Sequence, residues 1–89
     1  MNRDNIMEEF NNLRKMYKEF GCNYNDSYIL DKMRNIRSIH IDDARSYLRH
    51  NDVDDPLYNV VLCGLIALED EVSIIDKMSR YQLLKEVKK

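Results

Sequence analysis

The chain has 89 residues, 44% of them apolar and 34% charged, which fits one domain with a small buried core. Its two Gly and one Pro are too few for a turn-rich β-sandwich or barrel, and its longest apolar run is too short and too interrupted to cross a bilayer. The net charge of −2 excludes a uniformly basic nucleic-acid binder. No charged-then-apolar leader opens the chain, so we expect a cytoplasmic, all-α protein that forms a single helical domain over residues 1–89.

The charges are strongly segregated along the chain. Residues 51–76 hold seven Asp and Glu and no Lys or Arg, whereas residues 77–89 hold five Lys and Arg and one Glu. A helical domain with this order of charges has a dipolar surface. Such a surface favours the binding of a partner.

The first predicted helix covers residues 4–20. Its apolar residues are spaced by four, three, four and three positions, which is the seam of a helix that packs on a neighbour. Gly21 follows at the position where a helix end favours a left-handed backbone, so we expect the helix to stop there. The seam consists of Ile6, Phe10, Leu13, Tyr17 and Phe20.

The second predicted helix covers residues 28–50. At 100° per residue its apolar side chains gather on one face about 140° wide, which suits a helix lying on a core. The alternation of polar and apolar residues leaves open a kink near Ile39–Ile41. The apolar face consists of Ile29, Leu30, Met33, Ile36, His40, Ile41, Ala44, Tyr47 and Leu48.

The third predicted helix covers residues 56–87, because Asp55 followed by Pro56 is a typical helix start. It carries two apolar stripes whose centres lie about 125° apart around the helix axis, as a helix with two neighbours requires. We therefore predict a three-helix bundle with a short first helix and a long hairpin of the other two, in which the third helix is central and longest. One stripe is Leu57, Val61, Leu65, Leu68, Val72 and Ile75, and the other is Val60, Cys63, Ala67, Ile74, Met78 and Tyr81.

The unequal lengths of the helices predict an uncovered C-terminal end of the third one. If the hairpin reflects about Val53, the second helix covers the third only to about Met78. Apolar side chains beyond that point would be exposed to a partner or to a second copy of the chain, unless the turn before the second helix covers them or the end frays. The residues of this candidate partner-binding surface are Tyr81, Leu83, Leu84 and Val87.

Arg37 falls inside the apolar face of the second helix, level with Glu69 and Asp70 under the same reflection. Two interpretations remain open, a structural ion pair with one of these carboxylates or a contact with a ligand. Glu69 and Asp70 are themselves candidates to face a basic partner. A phosphate-binding row for nucleic acid or a nucleotide is an alternative site, formed by Arg34, Arg37, Arg45 and Arg49.

The sequence carries no signature of catalysis or of cofactor binding. It has no glycine-rich phosphate loop, no nucleophile elbow and no metal-binding histidine pair. The acidic loop that begins at Asp52 lacks the Gly and the twelfth-position Glu of an EF-hand. Cys22 and Cys63 belong to no paired motif, and Cys63 is expected in the core. We therefore predict no enzyme activity, no metal and no cofactor.

Protein binding is the function that these features favour. We expect a small non-catalytic module that acts as a regulator or inhibitor by occluding a larger partner, as a phage or bacterial accessory factor in the host cytoplasm would. The first alternative is a phosphate-recognising module that binds nucleic acid or a nucleotide. The second is a structural homodimer or larger homo-oligomer joined through the third helix. No membrane partner is expected.

Overall fold

The computed structural model describes the backbone of residues 2–87 and the side chains of residues 3–82. It consists of α1 (Asn2–Glu19), α2 (Asp26–His50) and α3 (Tyr58–Val87), and the described residues form no strand. The predicted all-α bundle, with a short first helix and a longest third helix, is confirmed. Each helix boundary lies within two residues of the predicted one. α2 runs without a break through Ile39–Ile41.

The end of α1 is fixed by the backbone conformation of Gly21. This residue has φ +74°, a backbone conformation that a residue with a Cβ adopts only at a cost in free energy. Its N–H donates to the carbonyl of Lys18 at 3.1 Å, and the N–H of Cys22 donates to the carbonyl of Tyr17 at 2.8 Å. These two bonds form a Schellman motif, which satisfies carbonyls that the end of a helix leaves free.

The start of α2 is capped by Asn25. Its Oδ1 accepts a hydrogen bond of 2.8 Å from the backbone N–H of Tyr28, in the manner of a typical N-cap. The helix therefore begins at Asp26, two residues before the predicted start.

The loop between α2 and α3 is held by Asp55. One carboxylate oxygen accepts a bond of 2.6 Å from the hydroxyl of Tyr47, and the other accepts a bond of 2.9 Å from the N–H of Leu57. Both bonds favour the ionised form, so the pKa of Asp55 is lowered, first by the Tyr47 hydroxyl and then by the Leu57 amide. The loop thus joins the end of α2 to the first turn of α3.

The core lies where α1 packs on the half of the hairpin that contains the beginning of α2 and the later part of α3. Its buried residues come from all three helices, and each fully buried aliphatic side chain stabilises the fold by about 1.5–3 kcal/mol. They are Ile6, Phe10, Ile29, Leu30, Met33 and Ile75, with Leu13, Tyr17, Ile74 and Met78 packed against them.

The predicted seam of α1 is confirmed for four of its five residues. Ile6 and Phe10 are buried in the core, and Leu13 and Tyr17 pack against it. Phe20 was expected in the seam and is instead 77% exposed. The reason is that α1 ends at Glu19, so Phe20 already belongs to the capping turn.

Candidate interaction surface

Arg37 joins all three helices at the middle of the hairpin. Its Nη1 and Nη2 donate to the two carboxylate oxygens of Glu9 on α1, at 2.9 and 3.0 Å. Its Nε donates to Glu71 of α3 at 3.2 Å, and Nη1 also donates to the carbonyl of Met33 at 3.2 Å. The Arg37 side chain is only 11% exposed, against 41% for Glu9.

The hydrogen bonds that Arg37 donates to Glu9 are the largest cause of the raised pKa of Arg37, and the charges of Glu9 and Glu71 add to it against an opposing effect of burial. A guanidinium that already makes a bidentate ion pair with one carboxylate and a second ion pair with another has few donors left for a ligand. The geometry therefore supports the interpretation of Arg37 as a structural ion pair and not as a ligand contact.

The prediction that Arg37 pairs with Glu69 or Asp70 is wrong. The contacts of Arg37 with Glu71 and of Asp26 with Gln82 are symmetric about residue 54, one position later than Val53, and the pairs Arg34–Asp76 and Arg45–Glu69 are symmetric about still later positions. The facing residue on α3 is therefore shifted by about two positions or more. Glu69 instead binds Arg45 at 3.4 Å, and Asp70 is exposed.

Glu9 was missed because the placement of α1 depends on contacts distant in sequence. A carboxylate beside the seam residue Phe10 was the available signal for it.

The four arginines of the predicted phosphate row do not form one free anion site. Arg34 binds Asp76 at 2.8 Å, and Arg37 and Arg45 bind the carboxylates described above. Arg49 is exposed and lies near Arg45 beside a shallow depression. A phosphate at this row would have to displace carboxylates from three of its four cations.

The cover of α3 extends further than predicted. The side-chain amide of Gln82 donates to Asp26 at 3.3 Å, so the first residue of α2 lies level with Gln82 and not with Met78. Gln82 lies four positions beyond Met78. Two of these positions come from the start of α2 at Asp26 in place of Tyr28, and two come from the shift between facing residues of the hairpin. Tyr81 is 63% exposed and lines a cleft of about 610 Å³ between α1 and α3. The side chains of Leu83, Leu84 and Val87 lie outside the described residues.

The described part of the structure leaves a different region uncovered, the half of the hairpin nearer its loop. We call residues 38–70 the arm. Ile41 and Leu65 are its only buried side chains, each 8% exposed, and the core cluster to which α1 contributes contains no residue of the arm. The shortness of α1 therefore exposes the loop end of the hairpin.

One side of the arm and the adjoining turn of α2 form an apolar surface that we call the open face. Val60 is 65% exposed and Ile36 is 55% exposed, while His40 and Ala67, which were expected in the apolar interior, are also exposed. A Cβ added to Gly64 would meet no atom within 4 Å. The open face consists of Ile36, His40 and Tyr47 of α2 and Val60, Gly64 and Ala67 of α3.

The charges around the open face are acidic. The arm contains seven Asp and Glu against two Lys and Arg. At 100° per residue the two arginines, Arg45 and Arg49, lie about 140° or more around α2 from the open-face residues of that helix. By the same measure Asp43 lies within about 60° of those residues, and Asp70 lies about 60° from Ala67. Both carboxylates are exposed.

The thiols and the metal-ligating side chains form no further site in the described residues. Cys63 was expected in the core and is exposed, because its stripe has no covering helix at that level; Cys22 is half-buried, and neither forms a disulfide. Within residues 3–82 no three His, Cys, Asp or Glu side chains are placed to hold a metal ion. No described helix is long and apolar enough to span a membrane.

Comparison of the chain with protein-family models, with curated proteins and with solved structures finds no match.

Proposed function

We propose that the protein is a small, non-catalytic interaction module that binds a larger protein through the open face. The observation that carries this proposal is the exposure of Val60 on the arm and of Ile36 in the adjoining turn of α2. A helix buries its apolar stripe against another element, and two helices alone leave part of each stripe in water. A contiguous exposed apolar patch with a polar border is typical of a protein-binding site.

The shape of the molecule supports a regulatory or inhibitory role. The chain measures 53 × 29 × 22 Å, and the arm projects from the end that contains the core. A narrow projection of this kind can enter a groove of a larger protein and block the approach of another ligand. The arm contributes binding surface, while α1 and the rest of the hairpin supply the folded base.

The test uses two matched variants of the arm. Val60→Gln removes an apolar side chain from the open face, and Ile66→Gln removes one that is 55% exposed but lies about 120° away around α3. Both replace an exposed residue with a better helix former, so neither should unfold the helix. Tagged wild-type protein and both variants are used to capture proteins from an extract of the source cell.

We expect at least one protein to be retained by the wild type and by Ile66→Gln and to be lost with Val60→Gln. Equal capture by all three proteins, or no capture by any of them, would refute the proposed function. Circular dichroism of each variant checks that its helices are intact.

A further inference from the structure

The open face continues a helix-packing seam that α1 already occupies in part. Six positions of α3 follow one another at spacings of four, three, four, three and four, the pattern of a seam that receives a neighbouring helix. In the later half of this seam, Ile74 and Met78 pack against the core that includes α1, and Glu71 shares Arg37 with Glu9 of α1. The seam consists of Val60, Gly64, Ala67, Glu71, Ile74 and Met78.

The earlier half of the same seam has no described helix upon it. Val60 and Ala67 are exposed, and the space over Gly64 is open. Since the seam keeps its period and its direction, the element that fits the earlier half is again an α-helix. The arm rises about 20 Å from the level of Arg37 to the end of α2, which corresponds to a helix of about 13 residues.

The charges decide which kind of helix fits. Asp43 and Asp70 flank the open face, and the arginines of the arm lie on the far side of α2, where Arg45 is already paired with Glu69. Two copies joined face to face would bring two acidic arms together, which opposes association. A helix with Lys or Arg beside its apolar stripe would place cations near Asp43 and Asp70.

We infer that the open face binds an amphipathic, basic helix of another protein, which lies along the first half of the α3 seam and completes a three-helix bundle around the arm. This inference rests on the proposed function and specifies its partner. The apolar residues of the bound helix would contact Val60 and Ala67, with its backbone drawn close to α3 over Gly64, where no side chain intervenes. Its basic residues would lie beside the two aspartates.

Two synthetic peptides of about 18 residues provide the probe, a length that spans the arm and forms a helix on binding. They share one leucine stripe at helical spacing and differ only in the flanking positions, which are Lys in one peptide and Glu in the other. Binding of each fluorescein-labelled peptide to the full chain is measured by fluorescence anisotropy, at low and at high NaCl concentration.

We expect the Lys peptide to bind at least about tenfold more tightly than the Glu peptide, and this preference to shrink as salt screens the charges. Val60→Gln should weaken binding of the Lys peptide about fivefold or more, and Ile66→Gln should leave it within about twofold. The double variant Asp43→Lys/Asp70→Lys should reverse the preference, so that the Glu peptide binds better.

Equal affinities for the two peptides, or binding that Val60→Gln does not alter, would overturn the inference. Failure of both peptides to bind would also overturn it. Light scattering of the chain alone distinguishes a second copy as occupant, since a dimer that Val60→Gln dissociates would replace the basic helix. In each of these cases, Val60-dependent capture from the extract would still support the proposed function, so the two failures are separable.

Discussion

The contact of Arg37 with both Glu9 and Glu71 predicts an unequal cost of removing arginines from α2. Arg37→Ala deletes two hydrogen bonds to Glu9, one to Glu71 and one to the carbonyl of Met33. Breaking a fully buried ion pair costs about 3–5 kcal/mol, whereas an exposed pair is worth about 0.2–1 kcal/mol. The Arg37 side chain is only 11% exposed, but its partners are more exposed and regain water, so we expect a loss of about 2–3 kcal/mol.

Arg34→Ala is the matched control, because Arg34 makes a single pair with Asp76 and both side chains are 40% or more exposed. Its removal should cost less than about 1 kcal/mol. Urea unfolding followed by circular dichroism measures both variants. With a urea slope of about 1–1.5 kcal/mol per molar for a chain of this size, Arg37→Ala should lower the midpoint by about 2 M. A loss for Arg37→Ala no larger than that for Arg34→Ala would refute the reasoning.

A double-mutant cycle separates the ion pair from the packing of the Arg37 side chain. Arg37→Met keeps an unbranched apolar stem, and Glu9→Gln removes the charge of the partner. If Glu9 is the principal partner, the coupling between the two changes should be about 1–2 kcal/mol. Strictly additive effects would show that Glu9 contributes nothing to the stabilisation that Arg37 provides.

Three further outcomes follow from the loops and the surface. Gly64→Ala should stabilise the free chain by about 0.5–1 kcal/mol, because the added Cβ meets no atom within 4 Å and Ala favours a helix. Gly21→Ala should destabilise the chain by about 1 kcal/mol, because Gly21 has a positive φ. Urea unfolding measures both variants, and stability changes of the same sign would contradict these roles of the two glycines. The lowered pKa of Asp55 contributes stability that is present at pH values above the unfolded pKa near 3.8 and is lost as the pH falls through the folded pKa. Tyr47→Phe removes the hydroxyl that Asp55 accepts from, so it should reduce the difference in unfolding midpoint between pH 6 and pH 3. An unchanged difference would assign the acid sensitivity to other carboxylates. Because three of the four arginines of the predicted phosphate row bind carboxylates, we expect no salt-dependent affinity for an oligonucleotide or for ATP. Measurable binding that is lost in the double variant Arg45→Ala/Arg49→Ala would instead support the phosphate-recognising alternative.

Local signals in the sequence were sufficient for the helices and their ends. The four–three spacing of Ile6 and Phe10 identified the buried side of α1, and Gly21 identified its end. Both features depend on neighbours within two helical turns, and such short-range preferences are expressed in any fold that accepts the helix. The all-α arrangement followed from them.

Contacts between distant segments were not accessible in the same way. A shift of two residues between facing positions of α2 and α3 was enough to replace Glu69 by Glu71 as the partner of Arg37. The positions of Cys63 and His40 on apolar faces indicated packing surfaces, but the exposure of both depends on how far α1 reaches along the hairpin. Periodicity identifies the face that packs and contains no information about which element covers it.

The ion cluster at Arg37 also divides the hairpin into two parts of different local stability. On one side lie six buried side chains from three helices, and on the other the arm contains two, Ile41 and Leu65. Amide protons of the arm should therefore exchange with solvent through local openings, while those around the core await global unfolding. A ligand that holds the arm in its helical state would suppress these openings, so part of its binding energy would appear as slower exchange far from any atom it touches.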